Sequence, residues 1–394
     1  MSLSNKKIAI IGGGPGGLTL ARLLLLKDLD VQVYERDKSR EVRTQGATLD
    51  LHMESGLAAL EQGGLTKAFY QSYRPNAGKL RITDHHGNIK VDDNSSDGYA
   101  EDRPEIDRGP LRELLLDSLH HDTVVWDSPF SHMEPYGEGW HLYFKNKGPL
   151  YADLVIGADG ANSKVRPYLS HIPPVYSGVT IVEGNLYNAY KYAPVLQDMI
   201  KGGKLFAFGE ERSLILSSKG DGSLSFYIGC KVDEFWSDTV GIDFNKKSEV
   251  HAWFNEVFGT WSPLWQELFN GEENWFIPRP QYHFPLDQSW EPQPNLTIIG
   301  DAAHRMPPYA GEGVNMAMRD ALELSNYFTE AEEGKIDTAI KRFEQSMRTR
   351  SAEITRFTLE ATEMLHSTDP INRMLKMMEG GVQDNSEAYP DYKL

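Results

Sequence analysis

The sequence predicts a doubly wound α/β nucleotide-binding domain with an inserted, mostly antiparallel β-sheet domain and a long C-terminal helix. Three observations carry that prediction. A glycine-rich turn follows a short apolar run at residues 8–11. Two further stretches, around 154–160 and 296–301, repeat the pattern of an apolar strand ending in a loop. Between them, Leu224, Phe226, Ile228, Cys230 and Val232 alternate strictly with Ser225, Tyr227, Gly229 and Lys231, the period of a half-buried antiparallel strand.

Taken in order, Ile8-Ala9-Ile10-Ile11 reads as a strand, residues 12–17 as a tight turn, and Leu18, Ala21, Leu24 and Leu25 as one side of a helix. Val31–Tyr34 follows as a second strand and ends in Glu35-Arg36. A hairpin pattern from Leu80 to Val91 turns at His86-Gly87-Asn88, and the polar stretch from Asp92 to Arg103 reads as a surface loop. Arg108 precedes an amphipathic helix carrying Leu111, Leu114, Leu115 and Leu119, and a β region opens at Trp140. Residues 176–285 read as mostly strands. The last long helix carries Phe343, Met347, Ile354, Phe357, Ala361 and Met364 at helical spacing. The expected division is a nucleotide domain at 1–75, 104–175 and 286–325, a substrate domain at 76–103 and 176–285, and a helical segment at 326–394.

Composition excludes several classes. The chain has 394 residues, 40% hydrophobic and 25% charged, as an ordinary globular protein does. With 40 Lys plus Arg against 57 Asp plus Glu, the net charge of −17 has the wrong sign for tracking a phosphate backbone or an anionic membrane. The lone Cys230 provides neither a disulfide nor a thiolate cluster. No long apolar span or signal peptide is legible, so the expectation is a cytoplasmic protein acting as a monomer on a small molecule. His85-His86 and His120-His121 lack metal-ligand spacing, and no nucleophile-elbow pattern supports Ser-His-Asp chemistry.

Gly12-x-Gly14-x-x-Gly17 lets backbone N–H groups approach a pyrophosphate at the positive end of a helix, and its last glycine lets helix and strand pack closely. Glu35, about twenty residues on, stands where such units read ribose hydroxyls. Its charge would repel a 2′-phosphate. Arg36 beside it could hold the adenine or phosphate edge, or lie in solvent.

Gly157-Ala158-Asp159-Gly160-x-x-Ser163-x-x-Arg166 and Gly300-Asp301-Ala302-Ala303-His304-x-x-x-Pro308, in this order after the first motif, resemble the FAD-dependent aromatic hydroxylases, the single-component flavoprotein monooxygenases. The likeness spans nearly the whole chain. It implies FAD, with Asp301 on the ribityl chain and the helix start Gly311-Glu312-Gly313-Val314-Asn315 directed at the flavin pyrimidine edge. A helix N-terminus there would stabilise the negative charge of reduced flavin. Glutamine is common in the family at the position of Glu312. Arg108 matches the arginine that begins the FAD-contacting helix, with Arg112 as the alternative, and Asp159 lies in the loop near flavin and nicotinamide.

Within that family the sequence is most similar to the tetracycline-inactivating flavin monooxygenases, through Glu35-Arg36-Asp37, Arg43, residues 46–52 and residues 300–311. The resemblance implies that Asp50 touches FAD and that Arg43 meets the phosphate of NADPH. In the substrate pocket it places Glu183 and Ser225 where those enzymes have a glutamine and a histidine, and Tyr227 where they have a glycine. The implied reaction is reduction of FAD by transiently bound NADPH, reaction with O₂ to a flavin C4a-hydroperoxide, and hydroxylation of a phenolic or polycyclic aromatic or enolic compound, tetracycline-like molecules among them. The same fold also serves other FAD reductases and dehydrogenases, and non-catalytic binding proteins, but the intact Gly300-Asp301 loop argues against an empty binding module.

Overall fold

A computed structural model describes residues 3–42, 46–95, 103–330 and 335–380. The described residues form one parallel sheet and three other sheets. In the parallel sheet the order is Leu296–Ile298, Leu154–Gly157, Ile8–Ile11, Val31–Tyr34 and Val124–Val125. Ile8–Ile11 and Leu154–Gly157 are buried throughout, which is why they read as continuous apolar runs instead of alternating ones. Helix Pro15–Leu25 starts on a proline, whose missing N–H costs nothing at that position, and buries Leu18, Leu20, Leu23 and Leu24. Helix Gly313–Glu330 lies against it, with Gly16 so close that a Cβ there would stand 3.0 Å from the Ala317 carbonyl oxygen.

The second large sheet has seven strands, in the order Trp275–His283, Val175–Leu186, Leu224–Lys231, Arg212–Ser218, Lys204–Gly209, Leu80–Asp84 and Ile89–Asp92. All its pairs are antiparallel except Leu80–Asp84 on Lys204–Gly209, which joins the early hairpin to the middle of the chain. The alternation read at 224–232 separates two faces. Leu224, Phe226, Ile228 and Cys230 enter an aromatic-rich core with Trp253, Phe254, Phe258, Trp265 and Phe269. Tyr227 belongs to the opposite face, with Ile82, Ile181, Phe206, Ile215, Leu365 and Met374.

Two expectations need correction. Residues 176–285 are not mostly strand: helices Pro194–Ile200 and Lys247–Val257 and the 3-10 segment Pro263–Phe269 cover the back of the sheet. Val250, Trp253 and Phe254 are buried at helical spacing there, so aromatic content had mimicked strand propensity. The boundary drawn after residue 325 also falls inside helix Gly313–Glu330. The long helix Ile336–Leu365 then runs back to the substrate sheet, burying Phe343, Met347, Ile354 and Ala361. Among the described residues no helix is long and apolar enough to cross a membrane.

Candidate functional site

A cleft of about 1960 Å³ runs from the glycine turn to the front of the seven-stranded sheet. Ordinary small-molecule pockets hold roughly 300–1,000 Å³, so this one has room for a dinucleotide and a second molecule. At its nucleotide end, Gly12 has φ +110° and a Cβ there would lie 2.3 Å from the Ala158 carbonyl oxygen. Gly17 is equally tight: its Cβ would meet the Gly12 carbonyl oxygen at 2.2 Å. Gly14 is the reverse: a Cβ there would meet nothing within 4 Å beyond its chain neighbours, and it stands at the start of helix Pro15–Leu25, which no side chain caps among the described residues. Backbone donors are thereby left facing the cleft.

Glu35 is 4% exposed and lines the same end. Its Oε2 accepts the Gly13 N–H at 2.6 Å and its Oε1 the Asp37 N–H at 3.0 Å. Each oxygen keeps a second acceptor direction, so the carboxylate can hold the turn and still receive hydroxyls. Arg36 is exposed at the rim. Arg43 lies outside the described residues.

Gly300, at φ +62°, turns the strand Leu296–Ile298 into the short helix Asp301–His304. The turn is fixed from behind by the fully buried Asp320, which accepts the Gly300 N–H at 2.8 Å and contacts His304 Nε2 at 2.5 Å and Arg350 Nη2 at 2.6 Å. Arg166, from the second loop, donates to the Ala302 and Ala303 carbonyls and stacks on Phe284. The Asp301 carboxyl is left facing the cleft, exposed to its space but enclosed by protein elsewhere. That enclosure raises its pKa, against the pull of His304, Arg305 and Arg108. Pro308, Gly311 and Gly313 continue the same wall.

Other candidates divide between lining and support. Asp50 lines the cleft; burial would raise its pKa, but Lys204, His52 and Arg103 outweigh burial and hold it well below the usual carboxylate range. Arg108 also lines it, packed over Gly46. Asp159 reaches the cleft, yet its Oδ2 closes its own loop on the Lys164 and Val165 N–H groups, at 2.7 and 3.3 Å. Asn315 does not reach it: its side chain accepts from the His52 N–H and Ser55 hydroxyl and donates to the Asp50 carbonyl. It pins the segment 50–55 to the helix start.

On the sheet wall, Glu183 and Tyr227 face the cleft and Glu183 pairs with Arg279. Burial, with Glu183 adding to it, raises the Tyr227 pKa against Arg108 and Arg279, so the phenol is a neutral donor at neutral pH. Ser225 is corrected: it is 2% exposed and absent from the lining, and Ser217, its register partner on the next strand, lines the cleft in its place. A single alternating strand gives the face but not how far along it the cavity extends. Sequence reasoning also missed Arg279, which lies between Pro278 and Pro280 in a strand whose prolines mask its period, and Arg305, Leu365 and Met374. Among the described residues no group of His, Cys, Asp and Glu could hold a metal ion.

A parallel sheet whose three loops converge on one cleft, with a glycine turn and a strand-end carboxylate, defines a dinucleotide-binding fold. The chain belongs to the family of proteins with this FAD binding domain, whose model matches residues 5–234 and 288–358. The monooxygenase asqM of Emericella nidulans is 30% identical over 374 residues, covering 82% of this chain and 83% of that protein. The 6-hydroxynicotinate 3-monooxygenase of Pseudomonas fluorescens is 24% identical over 382 residues, covering 92% and 93%. Among solved structures, tetracycline destructase Tet(55) shares the fold at TM-score 0.76 and 18% identity, covering 98% of both chains. Klebsiella pneumoniae HpxO with FAD and uric acid does so at TM-score 0.73 and 20% identity, covering 97% of this chain and 94% of that one. The protein is a FAD-dependent monooxygenase of the aromatic hydroxylase type.

Proposed function

We propose that the protein hydroxylates a phenolic or polycyclic aromatic or enolic small molecule at the expense of NADPH and O₂. The residues present fit FAD: open space at Gly14 and Gly313, and the Asp301 carboxyl turned into the cleft, leave a bed for an extended dinucleotide. The glycine turn would hold the pyrophosphate, Glu35 the ribose, Asp301 the ribityl hydroxyls, and the 311–314 helix start the flavin, with Asp50 and Arg108 alongside. Bound FAD supplies electron transfer from the nicotinamide donor and activation of O₂. The protein supplies position and dryness. Ile82, Ile181, Phe206 and Ile215 form an apolar floor on the sheet, and Leu365 and Met374 from the C-terminal helices complete the wall. Tyr227, Glu183 and Arg279 are the polar groups on that floor, suited to orienting the hydroxyl or carbonyl edge of a ring system.

The observation that carries this reading is the cleft itself, large enough for both cofactor and substrate and continuous from the glycine turn to the apolar sheet face. The test is a panel of phenols and polycyclic enols, tetracycline included, scored for stimulated NADPH oxidation, O₂ uptake and product carrying an atom from labelled O₂. NADPH consumption with no labelled product from any compound would remove phenols and polycyclic enols as the substrate class.

Tyr227→Gly is expected to enlarge the floor and raise tetracycline turnover relative to a single-ring phenol by roughly tenfold, the scale on which pocket volume discriminates. An unchanged ratio, measured as kcat/KM, would remove Tyr227 from the specificity of the site. Arg43→Ala should narrow the preference for NADPH over NADH by about tenfold or more, the worth of one charge-assisted pair. Equal use of both donors by the unmodified protein would rule out that role.

A further inference from the structure

The start of helix Gly313–Glu330 carries a carboxylic acid where it faces the cleft. Gly311 and Gly313 line the wall on either side of Glu312, whose own side chain turns back behind it and is 5% exposed. Its Oε1 has no hydrogen-bond partner among the described residues and lies 3.6 Å from His52 Nδ1. His52 Nε2 is in turn 3.0 Å from Asp50 Oδ2. An imidazole thus sits between two carboxyl groups, one on each side of the ring, directly behind the helix start.

We propose that Glu312 is the proton acceptor that balances negative charge arriving at this helix start, with His52 and Asp50 as the positioning residues that hold it. The proposal rests on the reading that the flavin lies against residues 311–314. A flavin held here would take up two electrons and one proton as a hydride, so one negative charge would be added beside the helix start. A second proton would pass from hydronium in solvent to the Glu312 carboxylate: one O–H bond of hydronium breaks, the carboxyl O–H forms, and water is left.

The surrounding charges favour Glu312 for this part. Glu54, from the turn Met53–Leu57, stands 3.9 Å from His52 Nδ1 and is well solvated. Arg103 lies 4.0 Å from Asp50 Oδ2, and Lys204 pairs with Glu105 while standing 4.0 Å from Asp50 Oδ1. Asp50, so surrounded by cations, stays ionised. Glu105 is raised by burial, but the Lys204 ammonium on it keeps it a partner in an ion pair. Glu312 has no such cation in contact: burial raises it to about 7, against His52 and Arg103. A carboxyl poised near neutrality takes up a proton when a negative charge appears nearby.

The experiment compares the FAD-loaded protein with its E312Q variant, in which an amide of the same size cannot titrate. The two-electron midpoint potential of the unmodified protein should fall twice as steeply with pH above neutrality as that of E312Q. Each extra proton adds a tenfold change in the equilibrium per pH unit, or about 30 mV for a two-electron couple. A reduced-minus-oxidised infrared difference spectrum of the unmodified protein should also show a new carboxylic acid C=O band, missing in E312Q. Equal slopes and no such band overturn the assignment while leaving the flavoprotein reading intact, whereas failure of the unmodified protein to bind FAD would sink that reading itself. Should E312Q retain no FAD, the slope of the unmodified protein decides: a fall of only about 30 mV per pH unit above neutrality, one proton per two electrons, overturns the assignment.

Discussion

Replacing Asp301 by alanine is expected to weaken FAD binding by about ten- to a hundredfold, the loss of one charge-assisted hydrogen-bond acceptor worth roughly 1.5–3 kcal/mol. The fold should survive, because the turn that presents Asp301 is held by other groups. Asp320 grips the Gly300 N–H, His304 and Arg350 from behind, and Arg166 grips the Ala302 and Ala303 carbonyls. Only the carboxyl facing the cleft is removed. The pH dependence has a definite sign. Enclosure raises the Asp301 pKa, and hydroxyl donors bond best to the ionised form, so affinity should rise as pH increases through that raised pKa. Asp301→Asn should keep part of the affinity and lose the pH dependence. Titration of apoprotein with FAD, monitored by quenching of flavin fluorescence, measures both. Unchanged affinity in Asp301→Ala and in Glu35→Ala would mean that the cofactor lies elsewhere.

The parts of this molecule legible in its sequence are those where a short segment dictates its own geometry. The glycine turn is one: Gly12 and Gly17 are required by backbone contacts within the first strand, the helix after it and the neighbouring loop. Glu35 is another, since its distance from the turn follows from one strand–helix–strand unit, and the carboxylate does meet the Gly13 N–H. The Gly300-Asp301 loop repeats the pattern. Readings failed where the answer depends on elements far apart in the chain. Whether Ser225 or Ser217 lines the cleft depends on how three strands stagger and on where the cavity ends. The hydrogen bonds by which the Asn315 side chain pins residues 50–55, some 260 residues earlier in sequence, gave no local signal either. The helices behind the seven-stranded sheet were hidden by their β-branched and aromatic content, because Val250, Trp253 and Phe254 satisfy strand propensity as well as a buried helix face. Arg279 gave no local signal at all, since only the register of its strand against Val175–Leu186 brings it to Glu183.

Gly17→Ala is the substitution expected to damage the protein most. Its Cβ would stand 2.2 Å from the Gly12 carbonyl oxygen and 3.3 Å from the Ala158 Cβ, so the obstacle is backbone and no side chain can rotate out of the way. Relief requires helix Pro15–Leu25 to move off the strand Ile8–Ile11, which opens the most buried part of the nucleotide core. A cost on the order of 3 kcal/mol is expected for such overpacking, read as a lower denaturation midpoint and as loss of bound FAD together. Gly14→Ala isolates the ligand's share of that effect. A Cβ at Gly14 meets no described atom within 4 Å, and alanine is at ease in its extended backbone, with φ −77° and ψ 177°. The apoprotein should therefore be as stable as the unmodified one, while the added methyl occupies the space in which a pyrophosphate would approach the helix start. Weaker FAD binding by Gly14→Ala without loss of apoprotein stability places the pyrophosphate at this turn. Unchanged FAD affinity would leave Gly17 as a packing glycine only and move the phosphates to another part of the cleft.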